Sequence, residues 1–394
     1  MGKRALANVA FGVGVRTVAG PSPAAGPVPI MPFTPLRRLS SGFFATLRRI
    51  LRGCGAAVQA RPAFAAWVYG EPDEADRASP AELAEESYRE FNHRYFASFG
   101  EQEKMLADGP RMAFYHAAVA RRVRPGDRVI DLGTGTGILA AFAARRGADR
   151  VYALDHSDIL RQARRLARAN GLANVEFVAT HSRDFSLPEP VDVILHEQMG
   201  DHLFDEAMVP NVLDLRDRLL RPGGVIVPSR FEFFCEPAKV RDERRVPFLW
   251  ELRVEGYDYA CLAAERPDNP DYYRRIGCDL GIVEHFLGVA SPALTLDLMT
   301  LRPDEPGEEL TVVRTVVNAG RLDGFVVFFR ALDGDDLALS SSPLDPGRAP
   351  HWGFRILRTE AAEFAAGEVI TLTLRVGSWI EPDGWRWSWV RSAG

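Results

Sequence analysis

Lysine is nearly missing from this chain: of 48 basic residues only Lys3, Lys104 and Lys239 are lysines, and arginine supplies the other 45. The bias reads as a GC-rich coding preference, so no function is argued from arginine content. Cysteine is scarce too. Cys54, Cys235, Cys261 and Cys278 stand apart, with no CxxC pair and no Cys/His cluster. That spacing fits neither a disulfide framework nor a structural zinc site, so the expectation is a reducing, cytoplasmic setting and no metal. No run approaches eighteen consecutive apolar residues, which argues against a membrane partner or a membrane span. With 34 Gly and 27 Pro among 394 residues, a collagenous or low-complexity chain is excluded.

Acid is absent from the first 70 residues, which hold nine Lys and Arg. From Glu71 onward 39 basic residues face 53 acidic ones, a net charge of −14. The head, residues 1–80, reads as a basic extension with disorder-type composition. A targeting segment or a basic surface-binding helix over 36–51 are the alternatives. The acidic body has no basic stripe with interleaved aromatics, so nucleic acid is not an expected partner. Its length and its 46% hydrophobic content suit two domains.

Residues 81–99 have helix-forming composition behind Ser79-Pro80, which predicts a lead-in helix. After Pro125-Gly126-Asp127 short apolar runs alternate with helical segments: RVIDL, GILAAFAARRG, RVYALD, SDILRQARRLARANG, VEFVA and VDVILHE. Such alternation predicts βαβ units and a parallel sheet, an α/β fold over residues 81–230. Pro222-Gly223-Gly224 predicts a turn into one more strand. Over 231–394 the segments ALTLDLM, LTVVRTVV, DGFVVFFRAL, WGFRIL and EVITLTLRV predict a mostly β domain, a sandwich or barrel.

Two motifs carry chemistry. DLGTGTG (131–137) follows a strand and opens a helix; its glycines let the backbone approach a ligand at a helix N-terminus. Asp155 ends the next strand, where a carboxylate can accept both hydroxyls of a ribose. In HEQMGDHLFDEAM (196–208), Glu197 falls beyond a strand's carboxyl end, the side on which open α/β sheets bind ligands. Glu197 and Glu206 flank a hairpin and could converge on one planar cation, giving the bidentate contacts a guanidinium prefers.

The DxGxGxG turn resembles that of class I methyltransferases, whose ligand is S-adenosylmethionine. HEQMGDHLFDEAM is similar to the double-glutamate loop, SEWMGYxLxxESM, of the protein arginine methyltransferase family. Tyr95 to Arg111 resembles that family's YxxFGxHxxMLxDxxR segment, GYDYAC (256–261) its YGFDMSC, and Leu339–Pro343 with Pro350-His351-Trp352 its LSTxP and THW loops. Five motifs occur in family order over about residues 85–390.

The resemblance implies a Rossmann-like class I methyltransferase domain followed by a β-barrel-like domain, and methyl transfer to a guanidino nitrogen of arginine. Arg111 would hold the cofactor's carboxylate, Asp131, Gly133 and Gly135 would line its amino-acid end, and Asp155 would take the ribose. Gln102 stands on the cofactor side where the family has His. Glu197 and Glu206 would grip the acceptor. Met105 and Met208 would shape the space around the sulfonium, with Trp352 on the substrate side. His351 and Asp108 would pair across the domains and pass the product proton away. The acceptor would be an arginine-containing protein or peptide, or a small guanidino compound. A different small N/O acceptor and a catalytically silent scaffold are the other readings. Gln198, Asp201 and Pro350 replace Trp, an aromatic residue and Thr, making the groove more polar. A homodimer is implied, with an arm between Tyr257 and about Gly288.

Overall fold

The computed structural model describes residues 95–277, 281–303 and 305–392. The chain divides at Ser79/Pro80, and everything below concerns the second unit. The basic head and most of the expected lead-in helix fall outside the described residues.

The part of that helix that is described departs from expectation. The chain turns at Phe96–Ser98, and a separate helix α1 (Phe99–Ala107) starts there, with Ser98 Oγ accepting from the Glu101 N–H. Helix α2 (Gly109–Arg122) follows after one residue. Asp108 caps it through a bond from the Arg111 N–H, and Pro110 fits its first turn because an N–H is not needed there. Ser98 starts a new helix at the point where the expected one was to end, and Asp108 starts the next.

The alternation that follows is as expected: β1 (Arg128–Leu132), α3 (Ile138–Arg145), β2 (Arg150–Asp155), α4 (Leu160–Ala169), β3 (Val175–Ala179), β4 (Val191–His196), α5 (Met208–Leu219) and β5 (Leu220–Val227). All pairs are parallel, in the order β3-β2-β1-β4-β5. The strands are apolar along most of their length because helices cover both faces of such a sheet. The chain leaves β1 toward β2 on one side and returns to β4 on the other, so a crevice opens between β1 and β4 at their carboxyl ends. Pro222-Gly223-Gly224 is part of β5, where expectation had a turn. Gly223 takes a φ of 75°, and the β4–β5 register shifts between Val191 and Val193, so the irregularity is absorbed as a bulge.

The second half is antiparallel. β6 (Arg230–Val240) leads into an excursion that carries the hairpin β7 (Arg253–Val254)/β8 (Tyr257–Asp258) and β9 (Arg274–Gly277). Then come β10 (Val283–Phe286), β11 (Leu294–Asp297), β12 (Glu309–Thr315), β13 (Gly320–Asp333), β14 (Leu337–Ser340), β15 (Phe354–Phe364), β16 (Val369–Arg375) and β17 (Arg386–Ser392). One sheet runs β10-β6-β13-β15-β9, with β11 on β6 and β14 on β13; the other runs β12-β16-β17. An ion pair on a fully buried carboxylate joins the two sheets, the half-buried Arg314 donating from Nε and Nη2 to Glu236 at 2.8 and 2.7 Å. The hydrophobic core is continuous from the parallel sheet into this domain. Phe204, on the loop before α5, packs on Trp379 and Phe233 with ring centroids 4.5 and 5.7 Å away. That contact sets the glutamate loop against the β domain.

Candidate functional site

The crevice floor is the turn after β1. Gly133, Gly135 and Gly137 have φ of 69°, 54° and 87°, values that side chains with a Cβ rarely adopt. The Gly135 N–H donates to Asp155 Oδ2 at 2.9 Å, and the Ser157 N–H donates to Oδ1 at 2.8 Å. Asp155 thus stands at the end of β2 on the cavity wall, each oxygen keeping lone-pair capacity for a ligand.

Asp131 departs from the expectation that it lines the amino-acid end. Its side chain is fully buried behind the turn, where Oδ2 accepts from Thr134 Oγ1 at 2.5 Å and from the Ala140 N–H at 2.9 Å. Gly137, before α3, has no side chain to cap that helix, and Asp131 satisfies one of its free N–H groups from beneath. Burial pushes its carboxyl up to about 6 despite these bonds. Gln102 closes the turn from above. Its Nε2 donates to the Phe96 carbonyl at 2.9 Å, and its Oε1 lies over Gly135.

Arg111 is buried between the cofactor-side cavity and the glutamate loop. Nη1 donates to the Met105 carbonyl at 3.0 Å, Nη2 donates to Glu197 Oε2, and Nε is a buried donor with no partner. Burial opposes the charge on Glu197, but Arg111, with His351 next, overcomes it and holds the carboxylate below its usual range. Glu206 is the opposite case. Burial, then Glu197, Asp205 and Asp201, push its carboxyl well above the ordinary value, and Arg111 offsets this only in part. The two glutamates are thus unequal: one has a cation, and the other lacks one.

On the β-domain side, Ser341 Oγ ties the 340–342 segment to Phe329, accepting from its N–H at 3.0 Å. This anchors the loop that leads to His351. His351 Nδ1 and N–H both reach Asp108 Oδ2, at 3.0 and 3.2 Å. Asp108 is therefore at once the cap of α2 and the anchor of the β-domain loop. Trp352 Nε1 donates to the Met199 carbonyl at 2.6 Å and its ring lines the acceptor-side cavity. Met208 does not belong there. It is fully buried at the start of α5 within the core and lines neither cavity, because Ala207, at φ 55°, turns α5 inward immediately after Glu206.

Other cavity residues escaped the sequence reading. His156 and Ser157 follow β2, Thr180 and His181 follow β3, and Asn211 projects from α5. The rule that ligands lie beyond the strands' carboxyl ends, applied to β2 and β3 as it was to β4, would have found the first four. Tyr115, fully buried, donates its hydroxyl to the His196 carbonyl at 3.1 Å and holds the end of β4; nothing local in the sequence signalled that.

The cofactor-side and acceptor-side cavities share Phe96, Met105, Glu197 and Glu206, so they meet at the two carboxylates. Among the described residues no group of three His, Cys, Asp or Glu is placed to hold a metal.

Residues 129–224, which hold the Rossmann-like sheet and its Gly-rich turn, match the methyltransferase domain family, and the chain is of the methyltransferase class. The chain is 33% identical over 296 residues to protein arginine N-methyltransferase PRMT10 of Oryza sativa subsp. japonica, covering 66% of this chain and 77% of that protein. It is 40% identical over 300 residues to PRMT10 of Arabidopsis thaliana, covering 67% and 76%. It is also similar to the crystal structure of Arabidopsis thaliana protein arginine methyltransferase 10, with a TM-score of 0.61 and 28% identity over 71% of this chain and 88% of that one. The chain belongs to the protein arginine methyltransferase family.

Proposed function

We propose that the protein transfers a methyl group from S-adenosylmethionine to a guanidino nitrogen of arginine in a protein or peptide. The observation that carries this reading is the shared wall: Glu197 and Glu206 stand where the two cavities join. The residues fit the cofactor. Arg111 Nε is a buried donor lacking an acceptor, as a ligand carboxylate would supply, and Asp155 presents carboxylate oxygens at the ribose end. When bound, S-adenosylmethionine supplies an electrophilic methyl group on a sulfonium.

The chain's own residues do the rest. A guanidinium is a poor nucleophile because its lone pairs are delocalised. Glu206, the carboxylate without a cation, receives it, and Glu197 takes the remaining N–H donors. Together they draw the positive charge away from the attacking nitrogen and aim its lone pair at the cofactor-side cavity. The nitrogen acidifies as its new bond to carbon forms. Its proton passes to Glu206, or to His351 held by Asp108.

The test is incubation with labelled S-adenosylmethionine and, in parallel, an arginine-rich peptide and free arginine. Label on the peptide arginine supports the reading; label on free arginine alone replaces the acceptor; label on neither overturns it.

A homodimer is part of this proposal. The hairpin β7/β8 turns at Glu255-Gly256, both at positive φ, and exposes Val254 and Tyr257. Sedimentation of the wild type and of Tyr257→Glu tests it: a dimer weakened by the substitution supports the arm, and a monomeric wild type refutes it.

A further inference from the structure

The loop that presents Glu206 also holds His202 and Asp205, two residues that guanidinium binding does not account for. Both fall at positions that the family's loop pattern leaves open. His202 is fully buried; its Nδ1 lies 3.0 Å from Asp205 Oδ2, and its ring meets Trp385 edge-on with centroids 4.9 Å apart. The Asp205 carboxylate is folded back onto Gly200 so closely that a Cβ there would overlap it. Only glycine allows this packing.

The backbone around the pair is strained. Leu203 and Ala207, neither of them glycine, have φ of 82° and 55°, on either side of Glu206. Such conformations persist where the surroundings over-determine them, and they gather at functional sites. Here the surroundings are visible: the Leu203 N–H donates to the Gly200 carbonyl at 2.9 Å, Phe204 is held by Trp379, and His202 is held by Trp385.

We propose that His202 and Asp205 act as a positioning pair, the imidazole pinning the carboxylate against Gly200 so that the loop presents Glu206 and a fixed negative charge stands beside it. The inference rests on the methyltransferase reading of the double-glutamate loop. The titratable and charged groups around Glu206 are Tyr95 before α1 and Glu101 on it, Glu197 at the end of β4, Asp201 and Asp205 on its own loop, Arg111 and Tyr115 from α2, and Arg355 and His351 from the β domain. Arg355 is engaged with Asp201 at 3.3 Å, and His351 with Asp108. Asp205 Oδ1 and both ring nitrogens of His202 have no hydrogen-bond partner, so the 3.0 Å approach of the two residues is an electrostatic contact, and the Asp205 charge acts on Glu206 relieved chiefly by His202.

The test is the pH profile of kcat/KM on an arginine-rich peptide for the wild type, Asp205→Asn and His202→Gln, with S-adenosylhomocysteine binding measured on each to establish a folded cofactor site. Removing the Asp205 charge makes Glu206 easier to ionise, so the acid limb moves to lower pH, by about one unit for a neighbouring charge in a partly buried site. Removing the imidazole leaves Asp205 less compensated, and the limb moves to higher pH. A purely structural role lowers the rate without moving the limb in opposite directions. Opposite displacements support the pair. An unmoved limb in either variant that binds S-adenosylhomocysteine normally overturns it, and so does failure of both variants to bind, which makes the pair a folding element. A wild type without turnover on any guanidino acceptor instead brings down the methyltransferase reading itself.

Discussion

Arg111 and Glu197 lie 86 positions apart in sequence and form a buried ion pair between the cofactor-side and acceptor-side cavities. One guanidinium of the protein's own thus occupies one of the two carboxylates that the proposed function assigns to an acceptor guanidinium. Charge at this site is shared between two ligands' subsites, and variants here act on both.

Arg111→Met leaves the Glu197 charge buried without its cation. Breaking such a pair costs about 3–5 kcal/mol, and loss of the carboxylate contact weakens S-adenosylhomocysteine binding by roughly tenfold to a hundredfold. Thermal unfolding and calorimetric titration measure the two. The double variant Arg111→Met/Glu197→Gln is expected to regain stability without regaining affinity.

Glu206→Gln keeps the shape of the loop and removes the charge. Turnover is expected to fall by about 10²–10³, the loss typical of one preorganised electrostatic group, while S-adenosylhomocysteine affinity stays within a factor of about two. Labelled methyl transfer and titration check this; near-wild-type turnover removes Glu206 from the chemistry.

Acceptor affinity is expected to rise with pH. The Glu206 carboxyl is raised by burial and by Glu197, so in the free enzyme it holds its proton to higher pH than an ordinary glutamate. A guanidinium needs the ionised form. Binding therefore releases a proton, and the dissociation constant of an arginine peptide falls as pH climbs through that raised value. Titrations in buffers of different ionisation enthalpy report the released proton, and Glu206→Gln abolishes the release.

Asp108 contributes stability in the opposite sense. Burial works against its charge, but His351 and the Arg111 N–H outweigh it, and its carboxyl is lowered below the ordinary 3.8. Its stabilising effect is fully present above that value and is lost as pH falls through the lower, folded-state value. Asp108→Asn keeps a helix cap and loses the charged contact to His351. The variant is expected to melt below the wild type at pH 7, with the two converging only below about pH 4.

Gly135→Ala combines a φ of 54° with a Cβ that would stand 3.0 Å from Gln102 Oε1. A loss of about 1–2 kcal/mol is expected, together with weaker cofactor binding, because Gly135 also holds Asp155. Calorimetry on the folded variant separates the two effects.

Much of the site could be read in one dimension. The βαβ alternation, the glycines after β1, the acid closing β2 and the paired glutamates are local patterns, set by backbone conformation and by residues a few positions apart. The turn at Phe96–Ser98 was also written locally, in the cap residue Ser98, but helix-forming composition masked it. Other features lay beyond local reading. Asp131 and Met208 belong to motifs whose family roles are cofactor and acceptor contacts, yet the first turns beneath α3 and the second into the core. Which side of a turn a side chain takes is decided by what packs against it. The partnership of Asp108 with His351, 243 positions away, and that of Arg111 with Glu197 needed the chain folded. So did the difference between the glutamates: the sequence alone determined that there would be two carboxylates in one loop, and only the tertiary structure decided which receives a cation from α2 and which waits for one, because burial and neighbouring charge are properties of position in space.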